Sequence, residues 1–285
     1  MDRVHHVSYS QSIVERPSPP AARPRLLAPP LPKEHGTWAW LLLPSLAGLF
    51  AFGWPSVPAV LFFLGVLQAF LLHAALEGWR ATHPREKQYL VWALIFGVGF
   101  HVTGILTIAH WNREPLLLIG AAVMAGPVAV RFVRWLRFRH RVLGEAIVVG
   151  SLSLLAPAVA YAGAGGFTTQ SAFLWLPVAL YCWSGITFVR LSLAPATERS
   201  AELRRERRRT AVVYHAVLLG VLVAGAAGGA FPALVLAAYL PMLAKTLGRL
   251  WTGSRSESVT RLGISEALHA AFFAVLLIAA YRLSA

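Results

Sequence analysis

From residue 36 onward, long apolar runs alternate with short polar connections. Nine runs, at about 36–53, 57–79, 89–111, 115–133, 142–162, 171–191, 211–230, 232–250 and 262–282, each approach the ~20 residues that an α-helix needs to cross hydrocarbon. None alternates with a period of two, which excludes the strands of a membrane barrel. The pattern predicts an all-α, polytopic membrane bundle of nine transmembrane helices, forming one domain over residues 31–285. Residues 1–30 are polar, with prolines at 17, 19, 20, 24, 29 and 30. They carry too little apolar surface to fold, and a disordered, partly extended tail is expected. The tail holds no apolar signal-peptide core, so the first span should direct insertion itself.

Composition agrees: 57% of the 285 residues are hydrophobic and 13% are charged, against about 25% charged in an average soluble domain. The formal net charge of +14 does not mark a nucleic-acid partner, because the basic residues sit between apolar runs and not on a folded soluble face. Their placement carries topology instead. With the amino terminus in the cytoplasm, every Lys and Arg except Arg113 and Arg282 falls on the inner side. Positive residues resist translocation, so a cell-membrane protein with its amino end inside and its carboxyl end outside is expected. The Arg131–Arg141 cluster and the Glu198–Arg209 run read as an interfacial segment over anionic lipid and a solvated cytoplasmic helix, respectively. Cys182 is the single cysteine, and no disulfide can form within the chain.

Ionisable side chains inside apolar spans are costly, and they mark bundle interiors or wet cavities. The candidates are Glu34 and His35 entering the first span, His73 and Glu77 leaving the second with Arg80 after them, Glu145 entering the fifth, Arg190 leaving the sixth, His215 in the seventh, Lys245 in the eighth, and Glu266 with His269 in the ninth. All fall in the cytoplasmic half of the expected topology. His73 and Glu77 are four apart and Glu266 and His269 three apart, so each pair shares a helix face. Prolines 44, 127, 157, 177 and 241 fall within spans and should free backbone carbonyls, as a polar cavity open to the cytoplasm tolerates. The competing structural expectation is simple ion pairing, of Glu77 with Arg80 and of Glu145 with Arg141. His101 and His110 on the third span are weaker candidates, and Ser151, Ser153 and Ser184 are expected to bond across helices. Glu266-Ala-Leu-His269 has the Glu-x-x-His form of di-iron bundles, but a second copy is missing, so no metal site is assigned. Glycine-rich phosphate loops, His-Glu-x-x-His and serine nucleophile elbows are absent, and no cofactor is identified.

Several stretches together resemble the YwiC-like family of bacterial integral membrane proteins. They are Pro32-Lys-Glu-His-Gly-Thr-Trp-Ala, Arg141-Val-Leu-Gly-Glu-Ala with Ala156-Pro157-Ala158, Phe188-Val-Arg190, and Arg261-Leu-Gly-Ile-Ser-Glu266. This resemblance implies location and architecture more than reaction. Nine helices with an inside amino terminus also look like the UbiA-type intramembrane prenyltransferases, whose aspartate-rich motifs hold magnesium and a prenyl diphosphate. Here the chain departs, since its sole aspartate is Asp2, and hard cations want clustered carboxylates.

Three functions follow as expectations. The first is a UbiA-like protein binding membrane lipid, an isoprenoid or a quinone-type molecule from the cytoplasmic side, with a divergent transferase as its catalytic form. The second is a small-solute or proton-coupled transporter. The third is a non-catalytic accessory protein.

Overall fold

The computed structural model describes residues 29–32, 35–82, 87–135, 141–193, 199–252 and 258–284. Most of the proline-rich tail, Glu34, and the basic connections at 83–86, 136–140, 194–198 and 253–257 lie outside the described residues, as do the side chains of His35, Arg131, Arg134 and Arg141. Among the described residues the secondary structure is entirely helical: α1 His35–Phe50, α2 Val57–Thr82, α3 Lys87–Ile105, α4 Pro115–Trp135, α5 Arg141–Ser153, α6 Leu155–Ala164, α7 Thr169–Phe173, α8 Trp175–Ser192, α9 Arg199–Ala227, α10 Val235–Ala238, α11 Leu240–Thr252 and α12 Val259–Arg282. A π-helical turn, Leu106–His110, extends α3.

Six segments are long and apolar enough to cross a membrane: Val57–Ala81, Lys87–His110, Gly144–Ala164, Thr169–Ser192, Ala201–Ala227 and Val259–Arg282. The other three expected crossings carry less. α1 has 16 residues, the apolar part of α4 is Pro115–Val130, and the stretch 232–250 is split into α10 and α11. The basic run before residue 210, expected as a solvated helix, is helical and continuous with the rest of α9.

Three of the in-span prolines explain how helices break. A proline ring has no N–H for the carbonyl four residues back and clashes with it. Ahead of Pro157, Pro177 and Pro241 the chain tightens into single i→i−3 turns, with the N–H of Leu154 donating to Ser151, that of Leu174 to Ser171 and that of Tyr239 to Leu236. These turns separate α5 from α6, α7 from α8 and α10 from α11. Pro44 and Pro127, by contrast, are carried within unbroken α1 and α4.

The core lies where α1, α8, α9, α10 and α12 converge, around Leu43, Ala47, Val178, Tyr181, Leu218, Tyr239, Phe273 and Leu277. α1 packs between α12 and α6, and its closest approach is at Gly48, where a Cβ would lie 2.2 Å from the carbonyl oxygen of Ala156. α2 and α3 form an antiparallel hairpin at the edge, closed by Gly78 under Tyr89, Gly99 against Gln68 and Gly65 against Thr103. Outward faces are apolar, with Leu94, Leu118, Val128, Leu268 and Val275 all exposed, as hydrocarbon and not water would favour.

Side-chain bonds identify two ends of the bundle. At one end Glu145, Arg190, Lys245 and Glu266 pair between helices; this is the basic end. At the far end Arg113 donates to the carbonyls of Ala162 and Trp111, while Arg282 donates to the carbonyl of Phe50 and lies over the Trp54 ring. Ala162 and Phe50 belong to the last turns of α6 and α1, where carbonyls lack helical partners. Arg113 and Arg282 are therefore capping groups for neighbouring helices.

Replacing Gly48 with Ala should destabilise the fold by about 1–3 kcal/mol, because the atom in the way is backbone and cannot rotate aside. A thermal melt in detergent should show a lower midpoint for Gly48→Ala and little change for Gly220→Ala, where the space is open.

Candidate functional site

One face of α8 organises the polar interior. Tyr181, Ser184, Gly185 and Phe188 fall at i, i+3, i+4 and i+7 and so point the same way, and each meets a different neighbour. The Ser184 hydroxyl lies 2.8 Å from Nε2 of His215 on α9, and Thr246 Oγ1 on α11 is 3.5 Å from the same nitrogen. His215 Nδ1 bonds the Ala211 carbonyl at 2.7 Å. Only a protonated nitrogen can donate to a carbonyl, so Nε2 of the neutral ring is the acceptor and Ser184 the donor.

Gly185 leaves room for α12. A Cβ there would touch Glu266 Oε2 at 3.5 Å. Across that gap Lys245 Nζ bonds Glu266 Oε1 at 2.5 Å, with side-chain exposures of 13% and 16%, and sits 4.1 Å from the centroid of Phe188. The ammonium thus has a carboxylate on one side and the negative face of an aromatic ring on another. One turn further in, the Tyr181 ring stacks on Phe273 at 3.8 Å, and its buried hydroxyl has no partner among the described residues. Tyr214 and Tyr239 donate to the carbonyls of Leu180 and Pro177, tying α9 and the α10–α11 turn to α8. The result is a polar seam joining α8, α9, α11 and α12.

The sequence candidates do not all meet there. His215, Lys245 and Glu266 do. Arg190 lies two and a half turns from Tyr181, on the opposite face of α8, and pairs with Glu145 of α5. Its carbonyl accepts from Arg207 at the start of α9. Glu145 pairs with Arg190 on a distant helix; Arg141, the partner suggested by the sequence, has its side chain outside the described residues.

His73, Glu77 and Arg80 form a third group, exposed on α2, with Glu77 and Arg80 paired at 2.9 Å. They continue the stripe of α2 that packs Ala59 on Val159 and brings Phe70 against Trp38. That stripe is covered near the far end and open near the basic end. His269, half-buried, bonds the Ser265 carbonyl and lies beside Arg261 and Leu268 in a shallow groove lined, among the described residues, by α12. Among the described residues no three His, Cys, Asp or Glu side chains converge on a point. Ser151 and Ser153, expected to bridge helices, bond back to Val148 and Val149 of their own helix.

Sequence inspection missed Tyr181, Gly185, Phe188 and Thr246 as parts of this seam. The available signal was the i, i+3, i+4, i+7 spacing of Tyr181, Ser184, Gly185 and Phe188 in an apolar run, and the adjacency of Thr246 to Lys245.

An all-helical bundle with apolar outward faces and ion pairs set between its helices defines a multi-pass α-helical membrane protein. Comparison with known proteins adds that residues 31–161 match the YwiC-like protein family. The chain is also 27% identical to the Uncharacterized protein YwiC of Bacillus subtilis (strain 168) over 254 residues, which cover 85% of this chain and 94% of that protein. No solved structure matches. The family match spans α1 to α6, and the α8 seam lies beyond it.

Removing one member of a largely buried pair leaves the other charge without solvent or partner, at a cost of about 3–5 kcal/mol, whereas an apolar replacement of both is often neutral. Lys245→Met and Glu266→Leu should each lower the melting midpoint, and the double variant should regain most of the loss. Glu77→Gln, which breaks an exposed pair, should change stability by less than ~1 kcal/mol. Thermal melts of the four purified variants in one detergent give the comparison directly.

Proposed function

We propose that the chain is a YwiC-like membrane protein along its whole length, with nine crossings in a UbiA-like arrangement, the amino end in the cytoplasm and the carboxyl end outside. Helix occurs at each of the nine expected places, and the two basic residues assigned to the outer side serve there as caps on helix ends. Its working part is the seam on α8, near the cytoplasmic side, which binds a lipid-soluble molecule with a polar head: a lipid, an isoprenoid or a quinone-type compound.

One observation carries this. The Lys245–Glu266 pair and the Ser184–His215 bond lie against one face of α8, and Ser184, His215 and Glu266 fall inside segments apolar enough to span a bilayer. A matched set of apolar side chains would pack these helices at least as well, so charges at this depth argue for use beyond structure. The set offers an ammonium, hydroxyls and an imidazole for a polar head, while aromatic and aliphatic neighbours suit an apolar tail. A divergent transferase would act at the same place, with cations taking the part that aspartate-bound magnesium plays in the UbiA-type enzymes.

A second function, proton-coupled transport, draws on the three proline breaks, since interrupted helices line sites in transporters.

Mass spectrometry of small molecules retained by protein purified in mild detergent separates these. Ligand binding predicts one class of prenylated or quinone-type species enriched over bulk membrane lipid. Glu266→Gln and His215→Phe should lower it at least fivefold at equal yield of folded protein. Retention indistinguishable from bulk lipid, with proton-driven uptake of a solute into reconstituted vesicles, would replace binding by transport.

A further inference from the structure

α2 begins at Val57, and its first backbone bond runs from the N–H of Val60 to the carbonyl of Ser56. Ser56 is therefore the N-cap residue. A serine in that place ordinarily turns its hydroxyl onto the N–H of the second or third helical residue. Here the second is Pro58, which has no N–H, and the hydroxyl does not take up the third, Ala59. The Ser56 oxygen is buried, exposing less than 1 Å², and has no hydrogen-bond partner among the described residues. It is turned toward Gly163 of α6, 3.1 Å from where a Cβ on that glycine would lie. The N–H of Ala59 likewise has no acceptor inside its own helix.

Ser56, Ala59 and Gly163 line a cavity of about 170 Å³ between α1, α2 and α6, at the far end of the bundle. Leu49 and Val159 give it apolar walls, and Trp54, 86% exposed, lines it as well. The Arg282 guanidinium carbon is 5.6 Å from the centroid of the Trp54 ring. For scale, an engineered apolar cavity of ~150 Å³ holds benzene. Water alone fills such a space poorly, because a buried water wants about three hydrogen bonds and few polar groups are offered here. Those that are offered can donate: a serine hydroxyl, an amide at the positive end of a 26-residue helix and, beyond Trp54, a guanidinium.

We infer that this cavity binds a small monocarboxylate whose apolar part is about the size of one aromatic ring. The carboxylate accepts from Ser56 and from the start of α2, with Arg282 adding positive charge nearby, and the ring occupies the space against Leu49 and Val159. The cavity lies at the opposite end of the bundle from the α8 seam and is independent of what the seam binds.

Ligand-observed NMR of benzoate with the full-length protein in detergent tests it, with benzyl alcohol as the uncharged counterpart and protein-free micelles as the baseline. A ligand of this size should bind with a Kd on the order of 1 mM, at least tenfold tighter than benzyl alcohol. Ser56→Ala should weaken benzoate at least fivefold without lowering the melting midpoint, because the hydroxyl holds no bond in the fold. Trp54→Ala, a change at an exposed position, should weaken it at least threefold. Benzoate bound no better than benzyl alcohol, no signal above that of micelles, or full affinity in Ser56→Ala would each overturn the proposal.

Discussion

A lysine and a glutamate held between helices inside an apolar bundle must supply one another's solvation. Lys245 and Glu266 do so at 2.5 Å, and this pair ties the geometry around it together. It requires α11 and α12 to meet at one level, it requires Gly185 to leave α8 without a side chain there, and it places the ammonium over Phe188. Ser184 and Thr246, neighbours of Gly185 and Lys245 in sequence, are brought by the same packing onto His215. A site with a cation, a carboxylate, an imidazole and two hydroxyls arises from four helices whose remaining contacts are almost wholly apolar.

The backbone breaks fit this arrangement. Helices crossing a bilayer ordinarily keep every carbonyl bonded within themselves. At Pro177 and Pro241 the chain departs from that rule beside the seam, and Tyr239, the turn residue between α10 and α11, returns a hydroxyl to the carbonyl of Pro177. The break in one helix is thus stitched to the break in another. At the far end Arg113 and Arg282 treat open helix ends in the same manner. Among the described residues, most polar bonds between helices fall at broken or ending helices or on α8, with Thr103 to Gln68 between α3 and α2 as an exception.

Much of the architecture was legible in the sequence because a bilayer imposes length and apolarity on each crossing. The all-helical class and the positions of the long spans follow from that constraint alone. The breaks were harder: proline at 157, 177 and 241 interrupts helix, while proline at 44 and 127 does not, and local sequence does not separate the two groups. Tertiary packing decides. For the site, the sequence singled out His215, Lys245 and Glu266 by their cost in an apolar setting. It could not say that Glu145 would reach Arg190, 45 positions away. Nor could it separate Glu77 and Arg80, exposed on α2, from the groups that face the interior. Exposure depends on what the rest of the bundle packs against α2, and no property of α2 by itself encodes that.

The ion pair can be kept while its chemistry is reversed. Exchanging the two residues, Lys245→Glu with Glu266→Lys, preserves opposite charges at the same place but moves the cation to α12, away from Phe188 and Thr246. If the seam exists to hold a polar head group, the exchanged protein should melt within a few degrees of the native chain yet lose the molecule that copurifies with it. Undiminished retention in a stable exchanged protein would contradict that role and leave the pair as a fastener between helices.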